Sequence, residues 1–207
     1  MFKRKPLLIV ALISFIFFSY GCSQQTEGVI LSKDSNSEYV KTFNDLSLGT
    51  ILDFNIQIPN EDERWFTLWV EKYENGQKIS KPLSELSFPN NPNEEEEGHI
   101  GFGLVKTNED YPVAFLYGFG SAAQSFGIDK EMKMDSSSTS SWQSVMEDDE
   151  KIEIKLYEPT LLGVYIETTS NSIRIPDLTD EADVEQLTSE YETILLLKVK
   201  VEERTEN

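Results

Sequence analysis

Residues 50–58 read Thr50-Ile51-Leu52-Asp53-Phe54-Asn55-Ile56-Gln57-Ile58. From Leu52 onward every second side chain is large and apolar, and Asp53, Asn55 and Gln57 stand between them. Side chains of an extended chain alternate between two faces, so this segment reads as a strand with one face buried and one wetted. The same signature recurs on either side of it. Residues 65–73 place Phe66, Leu68 and Val70 on one face and Trp65, Trp69 and Tyr73 on the other, the pattern of a strand covered on two sides. Asn75-Gly76 then marks a tight hairpin turn into residues 77–80.

Further strands are expected at 99–106, 113–119, 161–168, 172–175 and 194–201. Another is expected at 151–157, where Ile152, Ile154 and Leu156 alternate with Lys151, Glu153 and Lys155. Glu158-Pro159-Thr160 should turn that strand back as a hairpin into 161–168. Residues 83–98, with Pro89, Pro92 and the run Glu94 to Glu97, read as a long loop. Residues 118–127 read as a glycine- and alanine-rich connection, and 136–141 as a serine-rich loop. One helix is expected at 180–191, where Val184, Leu187 and Tyr191 follow an Asp180 cap at helical spacing. Short strands separated by turns, with one short helix near the C-terminus, predict an all-β single domain, a β-sandwich or jelly-roll-like body, with an open barrel as the alternative.

The first twenty-two residues are of another kind. Lys3, Arg4 and Lys5 precede an apolar run from Leu7 to Phe18, followed by Ser19-Tyr20-Gly21-Cys22. A basic start, a greasy segment too short to span a bilayer and a small residue at a cleavage point make a secretory signal. Its end resembles the lipobox of bacterial lipoproteins, with Gly21 and Cys22 matching that pattern and Ser19 and Tyr20 departing from it. The resemblance implies removal of residues 1–21 and a diacylglyceryl group on Cys22, the only cysteine in the chain. A two-chain lipid holds a protein on a membrane stably where one chain does not. Residues 22–45 are mostly polar and read as the lipidated cysteine plus a tether, on which Val29-Ile30-Leu31 would dock as an edge strand. The β-body is expected over 46–203 and a polar tail over 204–207. In layout the chain resembles the small lipoproteins of Gram-positive bacteria, which implies the outer face of the cell membrane as its location.

Charge and composition narrow the function. Lys and Arg number 18 against 37 Asp and Glu, a net charge of −19, which argues against nucleic acid and against anionic lipid headgroups as partners. No cofactor is expected. Gly118-Phe119-Gly120-Ser121-Ala122-Ala123 matches a loose G-x-G-x-x-A, but that motif needs a βαβ setting, and glycines easing a bend in a sheet are the simpler reading. His99 is the only histidine, with no G-x-S-x-G elbow to accompany it. Acidic runs at Glu61 to Glu63, Glu94 to Glu97, Glu147 to Glu150 and Asp180 to Glu185 read as solvated loops, with calcium as the alternative ligand. The aromatic residues Trp65, Trp69 and Tyr73 are the candidate ligand-binding set, able to stack on sugars or peptides, with Tyr111, Tyr117 and Phe119 as further aromatics of the sheet. The expected role is a binding module at the cell envelope, its partner an envelope protein or glycan. The alternatives are an envelope hydrolase using paired carboxylates and a calcium-stabilised adhesion module.

Overall fold

The computed structural model describes residues 28–59, 63–90, 96–105, 113–118, 123–127 and 139–204. Cys22, the signal segment, Tyr111 and Phe119 lie outside them, as do Glu61, Asp62, Glu94 and Glu95. The strands are β1 (Val29–Lys33), β2 (Gly49–Ile58), β3 (Arg64–Glu74), β4 (Gln77–Lys78), β5 (Ser84–Pro89), β6 (Glu96–Val105), β7 (Val113–Tyr117), β8 (Ala123–Gly127), β9 (Thr139–Ser144), β10 (Lys151–Ile154), β11 (Thr160–Thr168) and β12 (Thr193–Glu203). Two helices interrupt them, α1 (Glu38–Asp45) and α2 (Glu181–Glu190). Sheet I has the order β10-β1-β2-β6-β7-β8. Sheet II has the order β4-β3-β12-β11-β9, with β5 also on β3. All strand pairings are antiparallel.

The alternation read at residues 52–58 becomes the inner face of β2: Leu52, Phe54, Ile56 and Ile58 are buried in one core with Phe66, Leu68 and Val70 of β3 and Leu195, Leu197, Val199 and Val201 of β12. Residues of both sheets therefore share one apolar layer, and the body is an all-β sandwich. Trp142 of β9 reaches across that layer, with its ring 4.6 Å from Phe102 of sheet I and 4.8 Å from Tyr165 of sheet II.

Each helix roofs part of an outer face. Ser37 caps α1 by accepting a 3.1 Å hydrogen bond from the amide of Val40. Tyr39 and Phe43, four residues apart and so on one helix face, lie against Tyr117 and Phe115 of β7, with ring centroids 5.7 and 6.1 Å apart. Those rings lie across β6 over Gly101 and Gly103, where an added Cβ would come within 2.5 Å of Tyr117 Oη and 2.3 Å of Phe115 Cζ. Glycine is required there by close approach. On sheet II, Leu187 of α2 closes a second, smaller core with Val164, Ile166, Ile194, Leu196 and Leu178.

Several local expectations need correction. Residues 28–45 are not a tether: they contain β1 and α1, so the body takes in these residues and does not begin at 46. Nor is β1 an edge strand. It lies between β2 and β10, with Val29 and Leu31 in the core, because its alternate apolar residues complete the inner face of sheet I. The expected loop 83–98 contains β5, whose Phe88 is buried against Phe66. β10 and β11 do not form a hairpin. β10 pairs with β1 in sheet I, whereas β11 lies in sheet II, and the chain crosses between sheets at Tyr157, whose φ is 67° and whose amide donates to Val201 O at 2.8 Å. Residues 172–175 are irregular. The helix expected at 180–191 is α2, capped by Asp180.

Candidate functional site

Two outer faces carry chemistry. On sheet II, the outward side of β3 presents Trp65, Thr67, Trp69, Glu71 and Tyr73, since Phe66, Leu68 and Val70 take the core side. The register sets Ser87 and Lys200 on either side of Thr67, and Glu85 and Lys198 on either side of Trp69. α2 covers only the far half of this face. Tyr73 packs against the α2 core, whereas Trp69 is half-buried and Trp65 is 38 % exposed. The candidate set thus divides: Trp65 and Trp69 lie on the open half, and Tyr73 at its wall. Trp65 and Trp69 are four residues apart on one strand, about 13 Å along the sheet. Between them Thr67 Oγ1 lies 3.2 Å from Ser87 Oγ.

Glu71 fixes this surface. Its side chain is 9 % exposed and receives Trp69 Nε1 at 3.1 Å, Lys198 Nζ at 3.1 Å and Lys78 Nζ at 2.8 Å, with Tyr73 Oη at 3.4 Å. Burial alone would push the carboxyl up. The hydrogen bonds from Lys78, Trp69 and Lys198, and the Lys198 charge, more than reverse that and hold it down at about 2. Glu71 is therefore a permanent anion that pins the Trp69 indole, and it is unsuited to proton transfer at neutral pH. Tyr73 is pushed up by burial and by the adjacent Glu71 charge.

On sheet I, the Asp53 side chain is fully buried beneath α1. One carboxylate oxygen accepts from Tyr117 Oη at 2.7 Å, and the other lies 2.9 Å from His99 Nδ1. Burial, then the Asp53 charge, raises the Tyr117 hydroxyl far above its ordinary value and keeps it a donor. In a neutral imidazole so placed, Nδ1 carries the proton and Nε2 is the remaining acceptor. Tyr39 packs edge-on against the His99 ring at 5.0 Å. The sequence singled out His99 but not its partner. Asp53 and His99 meet only because Asn55 is paired with His99 and Asp53 with Gly101 across β2 and β6, a register that no local pattern announces.

The remaining candidates separate. Gly118 follows β7, and β8, which begins at Ala123, pairs antiparallel with β7, so a strand and not a helix comes after the motif; Phe119 to Ala122 lie outside the described residues. Phe88 packs on Gly118, where an added Cβ would meet its ring at 2.5 Å. Among the described residues no three or more His, Cys, Asp or Glu side chains are grouped to hold a metal ion. No described helix is long and apolar enough to cross a membrane.

The model of the YgaN domain matches residues 33–201, the greater part of the chain. The chain belongs to the YgaN domain family. No curated protein and no solved structure matches this YgaN domain. The matched region runs from the last residue of β1 through nearly all of β12, so both faces described above fall inside the YgaN domain.

Proposed function

We propose that this YgaN-domain protein is a lipid-anchored, extracytoplasmic binding module that takes up a glycan on the open half of sheet II. The observation that carries the reading is the pair Trp65 and Trp69, one exposed and one pinned by Glu71, on the part of the face that α2 leaves open. A rigid indole offers the apolar face of a sugar a large contact area at little entropic cost, and Thr67, Ser87, Lys200 and Glu85 supply hydroxyl, cationic and anionic partners beside it. Spacing of about 13 Å suits a chain of several sugars better than a single one. The anchor rests on Gly21-Cys22 behind the signal-like segment, and it places the module on the outer face of the cell membrane.

The hydrolase alternative calls for a carboxylic acid held protonated near neutrality. Every described carboxylate with a displaced ionisation is displaced downward: Glu71, Asp148, Asp177 and Glu192. That favours binding over paired-carboxylate hydrolysis. Titrating the full-length protein with soluble envelope polysaccharides while following indole emission tests the proposal. Saturable change that is lost in Trp69→Ala and weakened at least tenfold in Trp65→Ala is expected, and half-saturation unchanged from the wild type in both variants would sink it. Growth with radiolabelled palmitate tests the anchor: label should enter the wild type and not Cys22→Ala. A melting temperature lowered by chelator would instead favour the calcium-stabilised adhesion module.

A further inference from the structure

We infer that the glycan taken up by this face is rooted in the same bilayer as the protein, an inference that rests on the anchor and binding reading above. The reason is the length of the link. Only residues 23–27 separate Cys22 from Gly28, the first described residue of the sandwich. Six Cα-to-Cα steps, even fully extended, span about 20 Å. β1 cannot peel away to lengthen the link, because it is hydrogen-bonded on both sides and buries Val29 and Leu31.

The end of the sandwich from which the link leaves is defined by contacts. Gly28 and Val29 line a cavity of about 470 Å³ with Arg64, Ile154 and Leu156. There Arg204 N donates to Glu63 O at 3.0 Å. Trp65 follows Arg64 directly and so belongs to this end, with Trp69 about 13 Å further along β3. β3 alone, with 11 residues, extends about 36 Å. If the body were inverted, Gly28 would stand higher above the headgroups than the link reaches. The Trp65 end is therefore the membrane-proximal end, and the row from Trp65 to Trp69 leads away from the bilayer. A polymer running along that row begins at headgroup height, as the sugar chain of a glycolipid does. A ligand confined to the same surface also gains an effective concentration that a free oligosaccharide lacks.

The test uses full-length lipidated protein in phosphatidylcholine vesicles containing a diacylglycerol-linked gluco-oligosaccharide, compared with the same oligosaccharide free in solution. Indole emission should reach half-saturation at a bulk sugar concentration at least tenfold lower for the glycolipid. With headgroup-dansylated lipid present, energy transfer from indole should fall more in Trp65→Phe than in Trp69→Phe. Equal half-saturation for the two sugars, or equal loss of transfer in the two variants, overturns the membrane-rooted assignment while leaving the glycan face standing. Binding of neither sugar overturns the glycan face itself. Protein that fails to float with the vesicles overturns the anchor, and this inference falls with it.

Discussion

Glu71 turns a buried charge into a fixed part of a surface, and its ionisation sets how the protein meets acid. Its carboxyl sits near 2 in the folded state against 4.5 in an unperturbed chain. A depressed folded value means the stabilisation is complete above about pH 4.5 and is lost as pH falls toward 2. At 1.36 kcal/mol per pH unit the contribution is about 3 kcal/mol at neutral pH. Glu71→Gln should lower stability by that amount at pH 7 and flatten the acid limb of a denaturation profile between pH 4.5 and 2. An unchanged acid limb would show the contacts to Lys78 and Lys198 to be energetically idle. The buried Asp53 depends equally on its donors. Tyr117→Phe removes the 2.7 Å hydrogen bond to Asp53 Oδ1 and a 3.2 Å one to Leu52 O. The expected cost is about 1–3 kcal/mol, read as a fall in Tm of roughly 3–10 °C.

Of the two helices, α1 is the less secured. None of its residues is buried, and it is held by the Ser37 cap and by Tyr39 and Phe43 on the sheet. Ser37→Ala should cost about 1 kcal/mol. Amide exchange over residues 38–45 should accelerate while β2 and β12 stay protected; uniform acceleration would mean that α1 unfolds only with the whole body. The same weakness explains why α1 is hard to see in the sequence. Its eight residues, Glu-Tyr-Val-Lys-Thr-Phe-Asn-Asp, carry too few apolar positions to stand out from a polar linker. β9 has Trp142 as its single large apolar residue, and β5 is bounded by Pro82 and Pro89, which read as loop punctuation. By contrast β2 and β6 alternate large apolar residues with polar ones or glycine, and β3 and β12 are runs of aromatic or branched residues, so all four are legible in advance. The two apolar faces of β3 are legible too, but not that the indole face is left half open, with Trp65 38 % exposed. The Asp53–His99 pair is not, because it arises from the pairing of strands far apart in the chain, as does the passage from β10 to β11 between sheets.

At the scale of the whole molecule, the position of β1 sets the domain boundary. A chain beginning at Gly28 should fold with a cooperative thermal transition. One beginning at residue 46 loses Val29 and Leu31 from the core and strips β10 of its neighbour, and it should be aggregated or molten by near-ultraviolet circular dichroism and dye binding. A cooperative transition in the shorter chain would return residues 28–45 to the status of a linker. The position of β1 also has a mechanical side. Its central residues Ile30, Leu31 and Ser32 are paired with β2 on one side and with β10 on the other. With the proposed lipid on Cys22, drag that tugs it away from the body would pull this strand lengthwise, so that both hydrogen-bonded ladders would bear the load together and shear at once. A sandwich hung that way would keep its shape under tension that would unzip one hung from an outer strand.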